Sequence, residues 1–191
     1  MNVRAVAFDL DGTIAKTSVR FAPYRERIGC DGGDVLSYIE KCDAALRKRM
    51  YAVLDEYERS IEEDCVLDED FPRVMTFLSE RNIKTGIVTR SSHRHAVAVT
   101  QKLGISADAI IGRDDTAPKP SGKPLILLSK MLGIPPQHML FVGDFLWDVM
   151  AGRNAGVRTV LLAHNRTEEY TPRPDYIIRR LGELIDIIKY G

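Results

Sequence analysis

The chain has 191 residues, of which 45% are hydrophobic and 28% charged, with 27 Lys and Arg against 27 Asp and Glu. That length holds one core domain with room for a smaller inserted unit, in a composition ordinary for globular proteins. The balanced charge argues against a sequence-wide attraction to nucleic acid or to an anionic membrane, and no apolar run approaches the length of a membrane span.

The first element is a short apolar run, Val6-Ala7-Phe8 after Val3 and Ala5, which reads as a strand buried on both faces of a parallel sheet. It ends in two carboxylates, Asp9 and Asp11, followed by Gly12, which lets the backbone turn away at once. Open parallel sheets collect ligands beyond the carboxyl ends of their strands, so these carboxylates stand where chemistry is expected. Nothing ahead of this strand has the layout of a signal peptide. Cys30, Cys42 and Cys65 are odd in number, widely spaced and without a Cys-x-x-Cys pair. They are read as reduced thiols in a cytoplasmic protein.

From about residue 18 to 68 the pattern turns helical. Leu46, Met50, Val53, Leu54, Tyr57 and Ile61 recur at helical spacing, and a weaker helix covers Val35, Leu36 and Ile39. The acidic run Glu62-Glu63-Asp64 is read as a solvated helix end. We assign residues 1–17 and 69–191 to the core and 18–68 to a small helical cap.

Beyond residue 70, helices and strands alternate. Phe71, Val74, Phe77 and Leu78 mark a helix, and Thr85 to Val88 a buried strand. A helix through Ala96, Val99 and Leu103 is closed by Gly104. A strand at Ala109 to Ile111 follows, then a helix from about Ser121 to Leu132, a buried strand Met139 to Val142 and a helix near Trp147 to Ala155. A strand at Val157 to Leu162 and the segments Tyr176 to Ile178 and Leu184 to Ile188 complete the pattern. This alternation predicts an α/β fold, a Rossmann-like doubly wound parallel sheet. Tyr170 to Asp175 reads as a surface loop.

Three strands end in polar residues able to act together: Asp9 and Asp11 after the first, Thr89-Arg90-Ser91 after the second, and Gly143-Asp144 after a later one, with Asp148 four residues on. Between the last two, Pro118-Lys119-Pro120 sets a lysine at a helix entrance. His93 and His95, two apart at a helix start, do not share a face and make a poor metal pair; they are expected at a solvated surface. Trp147 is expected to pack under its loop, with the pocket wall as the other place for it. Ser92 resembles no serine-hydrolase elbow.

In this order, the four pieces Asp-x-Asp-Gly-Thr, Thr89, Lys119 and Gly-Asp-x-x-x-Asp resemble the motifs of the haloacid dehalogenase superfamily over nearly the whole chain. The nearest pattern is the phosphoglycolate-phosphatase-like branch, with a cap that is short for it. The resemblance implies that the Asp9 and Asp144 strands are neighbours in the sheet, and that the chain is a magnesium-dependent phosphatase of small phosphorylated metabolites. Asp9 is then the nucleophile and forms an aspartyl phosphate, while Asp11 is the general acid and base. Mg2+ is expected on the Asp9 and Asp144 carboxylates and the main-chain carbonyl of Asp11, with Asp148 orienting this shell. Thr89 and Lys119 are expected to bind the phosphate, and Lys119 is preferred over Lys123 because the family pattern has Lys-Pro directly before the helix. Arg90 is assigned to substrate binding, with a salt-bridged or exposed role as its alternative. Asp11 disfavours dehalogenation, since the dehalogenases lack the second aspartate. Two other readings stay open: a phosphomutase resembling β-phosphoglucomutase, and a non-catalytic phosphate-sensing or protein-binding module. Oligomeric state is not legible in the pattern.

Overall fold

A computed structural model describes residues 2–16, 22–166 and 169–191. The expected start of the helical insert, at residue 18, lies outside the described residues. The chain divides into two compact units, residues 1–16 with 66–191 and residues 17–65.

The larger unit is built on a six-stranded sheet in the order β5-β4-β1-β6-β7-β8, every pair of neighbours parallel. The strands are β1 (Ala5–Phe8), β4 (Lys84–Val88), β5 (Ala109–Ile111), β6 (Met139–Gly143), β7 (Arg158–Leu162) and β8 (Tyr176–Ile178). All four residues of β1 and all five of β6 are buried, as strands covered on both faces must be. The winding turns at β1. The chain passes outward through β4 to β5, then crosses back to lay β6 on the other side of β1. Phe8 is thereby in register with both Ile87 and Val142, and the residues after all three strands open on one crevice. The predicted α/β doubly wound sheet is the one observed.

Between the strands run α4 (Phe71–Glu80), α5 (His93–Lys102), α6 (Lys123–Leu132), α7 (Leu146–Ala155) and α8 (Leu184–Tyr190). Leu125, Leu128 and Leu132 of α6 join Ala5, Ala7, Val88, Ile111, Met139 and Phe141 in the core on one face of the sheet. Gly86 is glycine because α6 lies so close. A Cβ there would stand 2.5 Å from Leu128 Cδ1.

A two-stranded ribbon is the element the sequence pattern did not announce. β2 (Ala15–Lys16) pairs antiparallel with β3 (Val66–Leu67), and Asp68 N–H donates to the Ile14 carbonyl at 2.9 Å. Strands of two residues are too short to display a period of two.

Among the described residues the smaller unit holds α1 (Ala22–Ile28), α2 (Val35–Glu40), α3 (Ala44–Ile61) and a single 3-10 turn, Glu62–Asp64. Ile28, Leu36, Ile39, Met50 and Leu54 close its own core, and the rings of Tyr24 and Tyr57 lie 4.7 Å apart. Asp43 caps α3, accepting from Leu46 N–H at 2.9 Å. None of the three cysteines is in a disulfide. Among the described residues no helix is long and apolar enough to cross a membrane.

At the start of α4, the buried Asp70 carboxylate accepts from Gly182 N–H at 3.2 Å and from Arg180 at 3.3 Å. Burial works to raise its pKa, but the Gly182 N–H and the Arg180 and Arg73 guanidiniums more than offset it and hold the carboxyl below its usual range. A depressed carboxylate stabilises the fold above its unfolded pKa, and that stabilisation is lost as pH falls through the folded value. Asp70→Asn should therefore lower unfolding free energy by about 1–3 kcal/mol at neutral pH. In urea titrations the difference from wild type should shrink below pH ~4.

Candidate active site

At the crevice beyond β1, Lys119 is the central cation. Its Nζ donates to Asp9 Oδ1 at 2.5 Å and to Asp148 Oδ1 at 2.6 Å, and the residue is only 2% exposed. Each of the three groups comes from a different segment: the end of β1, the loop before α6 and the first turn of α7. The Lys119 loop is pinned on both sides. Arg90 Nη1 donates to the Lys119 carbonyl at 2.7 Å, and Asn154 Nδ2 of α7 to the Pro120 carbonyl at 2.9 Å. The rival Lys123 is the exposed first residue of α6.

Asp148 has one oxygen on Lys119 and the other accepting from Phe145 N–H at 3.0 Å, so it joins the site while satisfying a donor at the N-terminus of α7. Asp144, at the end of β6, is half-buried against the turn at Gly12. Gly12 has φ +87°, and a Cβ there would stand 2.7 Å from Asp144 Oδ2. Only glycine tolerates both the backbone and the approach.

One carboxylate oxygen from each of Asp9, Asp144 and Asp148 lies within 4.8 Å of the others. Burial drives the Asp9 pKa well above its ordinary value, with Asp148 and Asp144 adding to the rise and Lys119 opposing it. Asp144 is raised to about 6 by burial and by the charge of Asp148, against Arg166, Lys119 and His164. Burial would lower Lys119, but Asp148 and Asp9 outweigh it and raise the ammonium's pKa. Three carboxylates facing one lysine, with oxygen as the only donor, fit a hard divalent cation.

Asp11 lies apart from this cluster although only Leu10 separates it from Asp9. Its Oδ2 accepts from Ser91 Oγ at 2.8 Å, and its Oδ1 is 3.7 Å from His95 Nε2. Thr89 is buried, its Oγ1 accepting from Ser91 N–H at 3.0 Å. The Arg90 guanidinium stacks 3.8 Å over the Trp147 ring, which in turn packs on Phe145. Arg90 and Trp147 thus brace each other beside the Lys119 loop.

The surface expectation for His95 is overturned: the side chain is fully buried. It shares the inward stripe of α5 with Ala96, Val99 and Thr100, and its i, i+4 spacing to Val99 was the signal. His93 is partly exposed, pairs with Asp115 at 2.6 Å and takes no part in the crevice. Two further residues that sequence reasoning did not single out follow β7. His164 Nε2 meets the Gly12 carbonyl at 3.0 Å, and Arg166 donates to the Asp144 carbonyl while lying 3.4 Å from its carboxylate. Neither belongs to a recognisable motif.

A carboxyl whose folded pKa is raised stabilises the fold below its unfolded pKa and loses that contribution as pH rises. Stability of the cation-free protein should accordingly fall as pH climbs from ~4 through the Asp144 value of about 6. Thermal unfolding in chelator across this range should show a shallower decline in Asp144→Asn.

The model of the haloacid dehalogenase-like hydrolases matches residues 24–156. The pyrophosphatase PpaX of Oceanobacillus iheyensis is 32% identical over 98% of this chain and 98% of its own length. The phosphoglycolate phosphatase of Chromobacterium violaceum is 27% identical over 100% and 98%. A hydrolase from Pseudomonas syringae shares the fold with a TM-score of 0.77 at 18% identity, covering 97% of this chain and 98% of that one. With the family model spanning well over half of its residues, and with Asp9, Thr89, Lys119 and Asp144 gathered where the sheet reverses, the chain belongs to the haloacid dehalogenase-like hydrolases.

Proposed function

We propose that the chain is a magnesium-dependent phosphatase of small phosphate monoesters, acting in the cytoplasm through an aspartyl phosphate on Asp9. The observation that carries this reading is the division of the two motif carboxylates. Asp9 lies among Lys119, Asp144 and Asp148, while Asp11 is turned to Ser91 and His95. Two carboxyl groups in unlike surroundings suit two unlike tasks. The relatives named as a pyrophosphatase and a phosphoglycolate phosphatase support a phosphorylated substrate.

Asp9 keeps Oδ1 on Lys119, which leaves Oδ2 to attack phosphorus. As the Asp9–phosphorus bond forms, the ester P–O bond breaks and Asp11 gives its proton to the departing oxygen. Asp11, now a carboxylate, takes a proton from water, whose oxygen attacks the same phosphorus and releases phosphate and Asp9. Lys119 sets its charge beside the nucleophile, and Thr89 with its neighbouring N–H groups meets the phosphoryl oxygens. Asp9, Asp144 and the Asp11 carbonyl would hold Mg2+, which when bound would neutralise charge on the carboxylates and the phosphoryl group. Asp148 orients Lys119, and Arg90 braces the loop that carries it within reach of the leaving group. The helical unit serves as a cap supplying specificity contacts.

Phosphate release from a panel of phosphoglycolate, sugar phosphates, nucleoside monophosphates and an aryl phosphate tests the reading. Release should require magnesium and be abolished in Asp9→Asn, whose amide cannot attack phosphorus; release that persists in that variant ends the nucleophile assignment. Asp11→Asn should slow turnover ~10²–10⁴-fold.

A further inference from the structure

We propose that His95 is the positioning residue of the acid–base step: with Ser91 it clamps the Asp11 carboxyl so that a single oxygen, Oδ2, faces the leaving group. The inference rests on the acid–base role given to Asp11 above. Asp11 Oδ1 is buried from solvent, and among the described residues no group donates a hydrogen bond to it. The side chain as a whole nevertheless keeps 21% exposure. The oxygen that exchanges a proton with substrate and water is therefore Oδ2, the one on Ser91.

Behind Oδ1 stands the imidazole of His95, at 3.7 Å from Nε2 and fully buried. That separation is too long for a hydrogen bond but within ion-pair range. The ring closes off the space into which the carboxyl would otherwise rotate. Its own place is fixed by α5, where Ser92 Oγ accepts from His95 N–H at 3.2 Å, and by Ala96 and Val99 on the same buried stripe. Ser91 supplies the other jaw. The Ser91 hydroxyl donates to a lone pair of Oδ2, a contact that holds whether or not Oδ2 carries the proton and that leaves that proton free for the leaving oxygen. Both jaws come from the segment after β4 that also carries Thr89, which couples the acid–base group to the phosphate-binding residue through a few bonds of backbone.

A clamp on a general acid has a kinetic signature that a merely structural residue lacks. Protonation of the leaving oxygen matters for an alkyl phosphate and little for 4-nitrophenyl phosphate, whose phenolate leaves unaided. His95→Ala and the size-conserving His95→Gln should be compared with Ser91→Ala, Asp11→Asn and wild type on both esters, with unfolding temperatures recorded. The expected result is a loss of kcat of about 10²-fold for the alkyl ester in His95→Ala, the scale of a misplaced reacting group. KM should be nearly unchanged, the aryl ester should lose far less, and His95→Gln should recover part of the rate. Equal losses on the two esters, or none, in a folded His95→Gln overturn the clamp. If Asp11→Asn discriminates between the esters while the His95 and Ser91 variants do not, the clamp falls and the acid–base reading stands. If Asp11→Asn does not discriminate either, both fall.

Discussion

The buried ammonium of Lys119 holds the crevice together. A lysine shielded from water survives only when its charge is met, and here it is met twice, by Asp9 and Asp148. Those two contacts tie the end of β1 to the first turn of α7 through a loop that Arg90 and Asn154 pin from outside. The carboxylates need the lysine equally, because without it Asp9, Asp144 and Asp148 present only like charges to one another. Folding and chemistry thus draw on one interaction. The charge that makes burial of Asp9 tolerable is, on the proposed function, also the charge that a phosphoryl group would meet beside it.

Around that pair the crevice is electrostatically uneven. The Asp9 side is crowded with acid groups whose burial resists ionisation, and Arg166 and His164 after β7 partly relieve Asp144. The Asp11 side has a hydroxyl and an imidazole for company. Extended backbone would send side chains two residues apart to the same face, so it is the turn that starts at Leu10 that parts Asp9 from Asp11 and gives them unlike surroundings. Gly12 then lets Asp144 close in behind them.

Most of the sheet was legible because its strands are uninterrupted apolar runs such as Val6-Ala7-Phe8 and Met139 to Val142, each ending in a polar motif. Asp9, Asp144 and Lys119 could be picked out for the same reason: each stands at a strand or loop end where an ordinary core residue has no cause to be charged. Asp148 was legible by its spacing from Asp144. The residues that escaped notice lack such a frame. His95 looks like a polar helix residue until α5 is docked, when its face turns inward with Val99. Arg166 and His164 reach Asp144 and Gly12 only because β7 lies beside β6, a tertiary fact with no local signal. The β2–β3 ribbon hid for a different reason, being too short to show alternation.

That ribbon also bears on how the family can vary. Lys16 and Val66 face each other in the ladder, so the chain leaves and re-enters the larger unit through a neck one strand spacing wide. With the two ends already held together, extra residues between them add only the slowly growing entropy of a longer closed loop, about 0.6 kcal/mol for each doubling of length. Insertions at this point leave the register of β1, β4 and β6 untouched. The segment between residues 17 and 65 is therefore where the chain can gain or shed whole helices without disturbing the strands that carry the crevice.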